Sequence, residues 1–522
     1  MDETVDVLVI GGGAAGLSAA VALARFRRTV LVVDAGEPRN APAGHVHNYL
    51  TRDGAPPAQI LAIGREEVQR YGGRVEPGAV TAVSRDGDRF RIEIGAQRAG
   101  TYPVGARQVL LASGVRDELP DIPGLAPRWG IDVLHCPYCH GWEVRDRRLG
   151  ILSTGPMTAH VATMFRALSD QILVLAHVGP SFTEEHREQF HALGIPLVDG
   201  EVVEVQSGPD GLTGVRLADG TVVPLDALVV APRFSARAEP LAGLGLEPVQ
   251  VDVDGQPVGT LIEADAAGAT SVPGVWAAGN VVNMQAQVIS SAAAGLAAGA
   301  AINATLIRED TERAVREHRY ERVHGEKAWD ERYATHSHVW SGKPNPVLVA
   351  EVADLPVGTA LDAGAGEGAD ACWLAAHGWQ VTGVELSGVA LERAAAHAKE
   401  RGLEVTWHHL DLTREPAPGV YDLVSAFFLH LPPEPRRDLL AKLAAAVAPG
   451  GILLVVGHDP SDESVVPRPA LAEVGWTADE LARMLGEEWT IEVAEARPRR
   501  VAHPGDGHDV TIHDAVLRAR RD

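Results

Sequence analysis

With 522 residues, of which 46% are apolar and 22% charged, the chain is long enough for three or four domains with full cores and is too apolar for wholesale disorder. A net charge of −24 argues against a nucleic-acid partner and an anionic membrane surface, both of which need basic patches. Its three cysteines, Cys136, Cys139 and Cys372, are too few for a secreted disulfide scaffold and point to a reducing, cytoplasmic setting.

The N-terminal run VDVLVIGGGAAGLSAAVALA carries acids where a signal peptide needs Lys or Arg, and glycines interrupt it, so it reads as strand, turn and helix. No other apolar stretch reads as both long and unbroken enough to span a bilayer. A strand at Val5–Ile10 enters Gly11-x-Gly13-x-x-Gly16, with Ala14 and Ala15 completing the loop. The glycines allow a tight turn, close approach of a pyrophosphate and close helix–strand packing. The helix N-terminus then offers free N–H groups to phosphate. Asp34, ending TVLVVD, is placed to hold ribose hydroxyls, so the unit predicts a dinucleotide site.

Residues 135–143 read HCPYCHGWE. The CxxC places two thiols within disulfide reach, a redox pair. Zinc is the rival reading, but adjacent His and Cys rarely converge on one metal and no second Cys pair exists, so no metal is expected. A second nucleotide-type loop follows at LGILSTGPMT, Leu149–Thr158, where Ser153 takes the first glycine position, Thr158 the third, and only Gly155 remains. After the next strand, His177 is followed by Val178 and Gly179, which offer no guanidinium for a 2′-phosphate. The charge-dense stretch Arg308–Glu331 predicts a solvated helix at a domain boundary. Beyond it, TALDAGAGEG holds Asp362, Gly364, Gly366 and Gly368, with Glu385 closing the next strand, Asp411 in HLDL, and Ser425 and Phe427 in YDLVSAFF. His408, His409 and His430 are candidate bases, and Cys372 reads as core.

Three groups of these residues carry family resemblances. Gly11–Gly16, the segment Arg39, Asn40, His47 and Asn48, VLLASGVR around Ser113 and Gly114, the CxxC, and GVWAAGN ahead of Gln287 and Val288 occur in the order of a low-molecular-weight thioredoxin reductase, over residues 1–308. That resemblance implies FAD held by Gly11, Gly13, Ala14, Ala15, Gly16, Asp34, Asn48, Gly114, Gly279, Asn280, Gln287 and Val288, with Asn280 standing where Asp is usual. It implies Cys139 facing the flavin and Cys136 exchanging with substrate. CPYCHG resembles the FAD-dependent dithiol oxidases, which implies His140 as base, a small thiol or dithiol substrate, O₂ as an electron acceptor and doubtful NADPH. Residues from about 320 to 522 resemble class I S-adenosylmethionine-dependent methyltransferases of the tellurite-resistance and thiopurine type. This implies a methyl donor held by Trp340, Asp362, Gly364, Gly366, Glu385, Asp411 and Phe427, and a small acceptor, with sulfur favoured.

The expected architecture is α/β: a two-dinucleotide-binding flavoprotein fused to a Rossmann-like methyltransferase. Its parts are an FAD domain at 1–116 and 246–308, an inserted NAD(P)-like domain with the CxxC at 117–245, a linker helix at 309–330 and the methyltransferase at 331–522. A homodimer is the expectation by family analogy. The alternative functions are an NADPH-dependent thioredoxin-type reductase, selenite or tellurite reduction with methylation, and a non-catalytic docking role for one half.

Overall fold

In the computed structural model, which describes residues 3–96, 100–462, 474–502 and 508–522, the chain divides into two units, Met1–Asp310 and Thr311–Asp522. In the first, the strand Thr4–Ile10 lies between Val30–Asp34 and Gly100–Leu111, parallel to both. Val7, Leu8 and Val9 are fully buried on both faces, which explains a continuous apolar run where a one-faced strand would alternate. Arg74–Pro77 extends this sheet in parallel and Val275–Ala277 adds to Gly100–Leu111. The helix Ala14–Arg25 packs its Leu17, Ala20 and Leu23 into the same core.

The chain leaves through Val115–Glu118 and returns through Arg233–Ala236, which pair antiparallel. Between them a parallel sheet forms in the order Leu197–Val198, Ile172–Leu175, Leu149–Leu152, Ala227–Val230 and Val133–Leu134. It has the nucleotide-binding type of topology expected of the inserted domain, and the helix Thr158–Arg166 follows its opening strand.

The second unit is built on the sheet order Val405–His409, Gln380–Glu385, Thr359–Ala363, Tyr421–Phe427, Val447–His458, Asp509–Arg521 and Trp489–Ala502. The first five are parallel and the last two antiparallel. The carboxyl ends of the central strands therefore share one edge, where open α/β sheets bind ligands.

Two expectations need correction. The charged stretch from Arg308 is not a separate helix: Val288–His324 is one helix, and the break comes at Gly325, before Glu326–Thr335. No Gly or Pro interrupts the charged run until Gly325, so nothing stops propagation. Among the described residues, the helical stretch from Val288 also has an apolar window, of mean hydropathy 1.4, long enough by length and composition to cross a membrane. Its Ala and Gly content has a packing reason: Gly295 and Gly299 lie so close to the backbone of Ala15 and Ala19 that a Cβ would collide.

Candidate functional site

A cavity of ≈ 1660 Å³ runs through the first unit. One end is the first glycine loop. Gly11 has φ +108°, and a Cβ there would strike the Ala112 carbonyl oxygen. A Cβ on Gly16 would strike the carbonyl oxygen of Gly11, so Gly16 serves helix–strand packing and is not a wall residue. Above Gly13 nothing lies within 4 Å of where a Cβ would point. That open cradle at the helix N-terminus fits a pyrophosphate. Ala14, Ala15 and Asp34 line the same end. Asp34 accepts from the Gly36 N–H at 3.1 Å and pairs with Arg65 at 3.2 Å.

Gly114, Gly279, Asn280, Gln287 and Val288 also line the cavity, Gly279 directly beside Ala15. Asn280 Nδ2 donates to the carbonyls of Asn283, Met284 and Ala286 at 3.1, 3.3 and 2.9 Å. An Asp could not make these bonds, so the departure from the usual acid is matched by the loop around it. Arg237, also on the wall, buries its Nε without a hydrogen-bond partner, a donor for a ligand acceptor. Open glycine cradle, ribose-type acid and orphaned donor together fit FAD. Asn48 is not among the wall residues; from φ +59° its Nδ2 donates to the Tyr138 carbonyl at 2.6 Å, tying its loop to the cysteine turn.

Cys136, Cys139 and His140 line the same cavity. Cys136 caps a one-turn helix, Pro137–His140, and its Sγ lies 2.8 Å from that of Cys139. The Cys139 thiol donates to Cys136 and brings it down to about 7, with backbone N–H groups and Arg39 assisting against burial. The same bond, with burial, pushes Cys139 up. Of the two, Cys136 is therefore the one that ionises first, with Cys139 kept as the thiol. Arg39 is fixed by Asp117 at 2.7 Å and stacks over Phe234. Burial holds His140 below its ordinary value, opposed by Glu143, so its imidazole is neutral and able to accept a proton. Burial and Arg39 lower His135 to about 4. Among the described residues no group of three or more His, Cys, Asp or Glu is arranged to hold a metal.

The second nucleotide-type loop is built differently. Ser153 is fully buried with an unpartnered Oγ, and a Cβ on Gly179 would collide with it. His177, at φ +46°, accepts the Val202 N–H on its Nδ1 at 3.0 Å, and burial lowers its pKa. Val178 is exposed.

In the second unit Gly364, Gly366 and Gly368 all have positive φ, which reserves them for glycine. Glu385 accepts from Gly366 N–H at 2.8 Å and Ser387 N–H at 2.9 Å; burial raises its pKa against these bonds. Asp362 is buried with Oδ2 unpartnered, and burial followed by repulsion from Asp370 raises it well above the carboxylate range. A buried acid with one oxygen unpartnered beside a glycine loop fits the ammonium end of S-adenosylmethionine. Asp411 is engaged with Thr413 at 2.9 and 2.6 Å and with Arg414 at 3.3 Å. Phe427 ends its strand half-buried against the core.

Trp340 is half-exposed and stands over Gly366, its Nε1 donating to Tyr333 at 2.8 Å. Sequence reasoning missed what holds it there. The buried Glu367 accepts from Val339 and Trp340 N–H at 3.1 Å each and from Arg393 at 2.9 Å. Arg393 also donates to the carbonyls of Tyr333 and His336. The only sequence signal was a Glu within the glycine loop itself. His409 bonds the Leu386 carbonyl at 2.8 Å and pairs with Glu326 at 3.0 Å, a structural role.

A family model described as pyridine nucleotide-disulphide oxidoreductase matches residues 5–299, and one described as methyltransferase domain matches 360–451. The thioredoxin reductase tcpT of Claviceps purpurea (strain 20.1) is 32% identical over 58% of this chain and 95% of its own length. The thioredoxin reductase sirT of Leptosphaeria maculans is 33% identical over 57% and 93%. Among solved structures, HlmI is 43% identical over 60% of this chain and 96% of its own, with a TM-score of 0.55. An oxidoreductase from Agrobacterium tumefaciens is 32% identical over 59% and 99%, with a TM-score of 0.54.

Proposed function

We propose, from the premise that the chain belongs to the pyridine nucleotide-disulphide oxidoreductase family and carries a methyltransferase domain behind that part, that it closes small dithiols to disulfides and methylates a small molecule at sulfur. The chain is thus an oxidoreductase and a transferase in one polypeptide; substrate, direction and acceptor atom are the proposal. One observation carries it. The cysteine pair shares a cavity with the first glycine loop, while the second loop has Ser153 locked against Gly179 and His177 committed to Val202. This supports entry of electrons from a dithiol in preference to NADPH.

In the cycle, one substrate sulfur attacks Cys136 Sγ of the oxidised pair, and the bond to Cys139 breaks with its electron pair on Cys139. The second substrate thiol attacks the substrate sulfur of the mixed disulfide, closing the product and expelling Cys136. A pKa of about 7 makes Cys136 the better leaving group. Neutral His140 takes the substrate proton. FAD, which Gly13, Asp34 and Asn280 would hold, would supply the two-electron acceptor for the reduced pair, with dioxygen and two protons as the route to hydrogen peroxide. In the other half, Asp362, Glu385 and the glycine loop orient the donor, and Trp340 with Tyr333 covers it.

Oxygen consumption with a panel of dithiols, beside stopped-flow mixing with NADPH, tests the redox half. Dithiol-dependent oxygen uptake is expected. Rapid flavin bleaching at micromolar NADPH overturns the oxidase reading.

A further inference from the structure

At the carboxyl edge of the second unit's sheet lies a cluster that the donor site does not use. Tyr421–Phe427 and Val447–His458 run parallel, with Phe427 opposite Val456, and end beside the strand that carries Asp362. The next residue, Phe428, sits at φ +57°, a backbone region costly for a bulky side chain and found where surroundings impose it, often at functional sites. Leu429 packs where a Cβ on Gly364 would point, so this turn abuts the donor's glycine loop. Tyr320 fixes it by donating to the His430 carbonyl at 2.8 Å.

The turn presents three rings to one another. Phe428 and His458 have centroids 4.7 Å apart, and His430 stacks on His458 at 5.2 Å and 13°. Behind them, His458 Nδ1 and Asp514 Oδ1 are each buried without a hydrogen bond and face one another at 3.7 Å. Asp514 is 5% exposed, and Arg499 holds its other oxygen at 2.6 Å. An imidazole backed by a buried carboxylate on Nδ1 keeps its Nε2 lone pair for a proton, the arrangement of an oriented base.

We propose that His458, positioned by Asp514, is the catalytic base for the methyl acceptor, and that the acceptor is a thiol too weakly acidic to ionise unaided at neutral pH. The inference rests on the sulfur reading above. The acceptor S–H gives its proton to His458 Nε2. The sulfur then forms a bond to the donor's methyl carbon, the methyl–sulfonium bond breaks, and the electron pair leaves with the neutral thioether product.

The test uses the full chain with Cys136→Ser and Cys139→Ser, so that the flavoprotein half cannot consume thiols. Methylation of 2-mercaptoethanol and of the more acidic thiophenol is measured with His458→Asn and with Asp514→Asn. His458→Asn is expected to slow 2-mercaptoethanol by about 10²-fold, the usual contribution of a positioned base, and thiophenol far less. Asp514→Asn is expected to fall between. Without any methyl donor, the His458 chain is expected to bind thiophenol as the absorbing thiolate below the thiol's own pKa, a signal His458→Asn loses. Unchanged S-adenosylmethionine isotherms verify folding, and His458→Gln replaces a variant that fails this check. Equal slowing of both thiols with an unchanged thiolate signal overturns the base while leaving sulfur methylation standing. Failure of the His458 chain to methylate either thiol overturns the sulfur reading and the base with it.

Discussion

Replacing Arg393 by Ala removes the cation that joins the aromatic cover to the glycine loop. Arg393 bonds the Glu367 carboxylate at 2.9 Å and the carbonyls of Tyr333 and His336. The Glu367 side chain is 4% exposed, so removal leaves a buried carboxylate with two backbone donors, Val339 and Trp340. Breaking a buried pair from one side costs about 3–5 kcal/mol. Arg393 is itself 26% exposed, so water reaches part of the gap and about 2–3 kcal/mol is the better figure. The bonds join cover to loop and not strand to strand, so the loss falls on closure over the donor. At 1.4 kcal/mol per decade, S-adenosylmethionine affinity should drop about 30- to 150-fold, with the unit still folded. Calorimetry reads the affinity and hydrogen exchange over residues 326–345 reads the closure. Adding Glu367→Gln removes the stranded charge and should recover part of the loss. Wild-type affinity in the single variant, or a double variant no better than the single, refutes the latch.

Alkylation of the reduced protein by iodoacetamide should modify Cys136, half-maximal near pH 7 and faster above it, because its lowered pKa makes thiolate the form present on the alkaline side; Cys139 should react only after Cys136→Ser. Asn280→Asp sets a carboxylate against three carbonyls and removes three hydrogen bonds, so a loss of about 2–4 kcal/mol, read as a lower melting temperature and released FAD, is expected; an unchanged melting temperature contradicts that reading of the loop. Asp370 is raised to about 6, first by burial, and a raised acid favours folding when protonated. The donor-free methyltransferase unit should therefore lose up to about 3 kcal/mol as pH rises from about 4 to 6, with little further change above 6. A cationic donor offsets the acids' charge, so its affinity should weaken as pH falls through 6; melting curves across pH 4–7 and calorimetry across pH 5–8 check the two slopes.

The two nucleotide-type sites were legible in sequence because backbone conformation dictates residue type there. Gly11, Gly364, Gly366 and Gly368 sit at positive φ, and Asp34 and Glu385 end strands whose length the apolar runs set. The cysteine pair was legible from spacing alone. What remained hidden depends on side chains that meet across the fold. Arg393 reaches the loop residue Glu367 from the helix Gly388–Glu400, and Asp514 reaches His458 from the antiparallel partner of its strand; neither leaves a local pattern. Asn280 showed as a departure from the usual acid, but its reason lay in three carbonyls whose convergence no spacing encodes. Asn48 was assigned to the cofactor, yet its amide reaches the backbone between the cysteines.

The altered second loop shows why the proposed loss of NADPH use would be hard to reverse. In the expected nucleotide-binding pattern, a glycine at 153 faces the ligand and an arginine-bearing run begins at 177. Here the Ser153 side chain fills the space beside Gly179, so an arginine at 179 would drive its Cβ into that hydroxyl and the carbonyl behind it. Restoring glycine at 153 removes the hydroxyl and its Cβ; the backbone carbonyl still blocks a Cβ at 179. An arginine at 179 therefore meets the Ser153 backbone whatever side chain stands at 153, whereas the exposed Val178 meets no such block. The parallel sheet beneath is untouched, because its buried strands Leu149–Leu152 and Ala227–Val230 still carry the segment that presents Cys136 and Cys139 to the cavity. The inserted domain thus keeps the fold that positions the cysteines whatever its second loop binds.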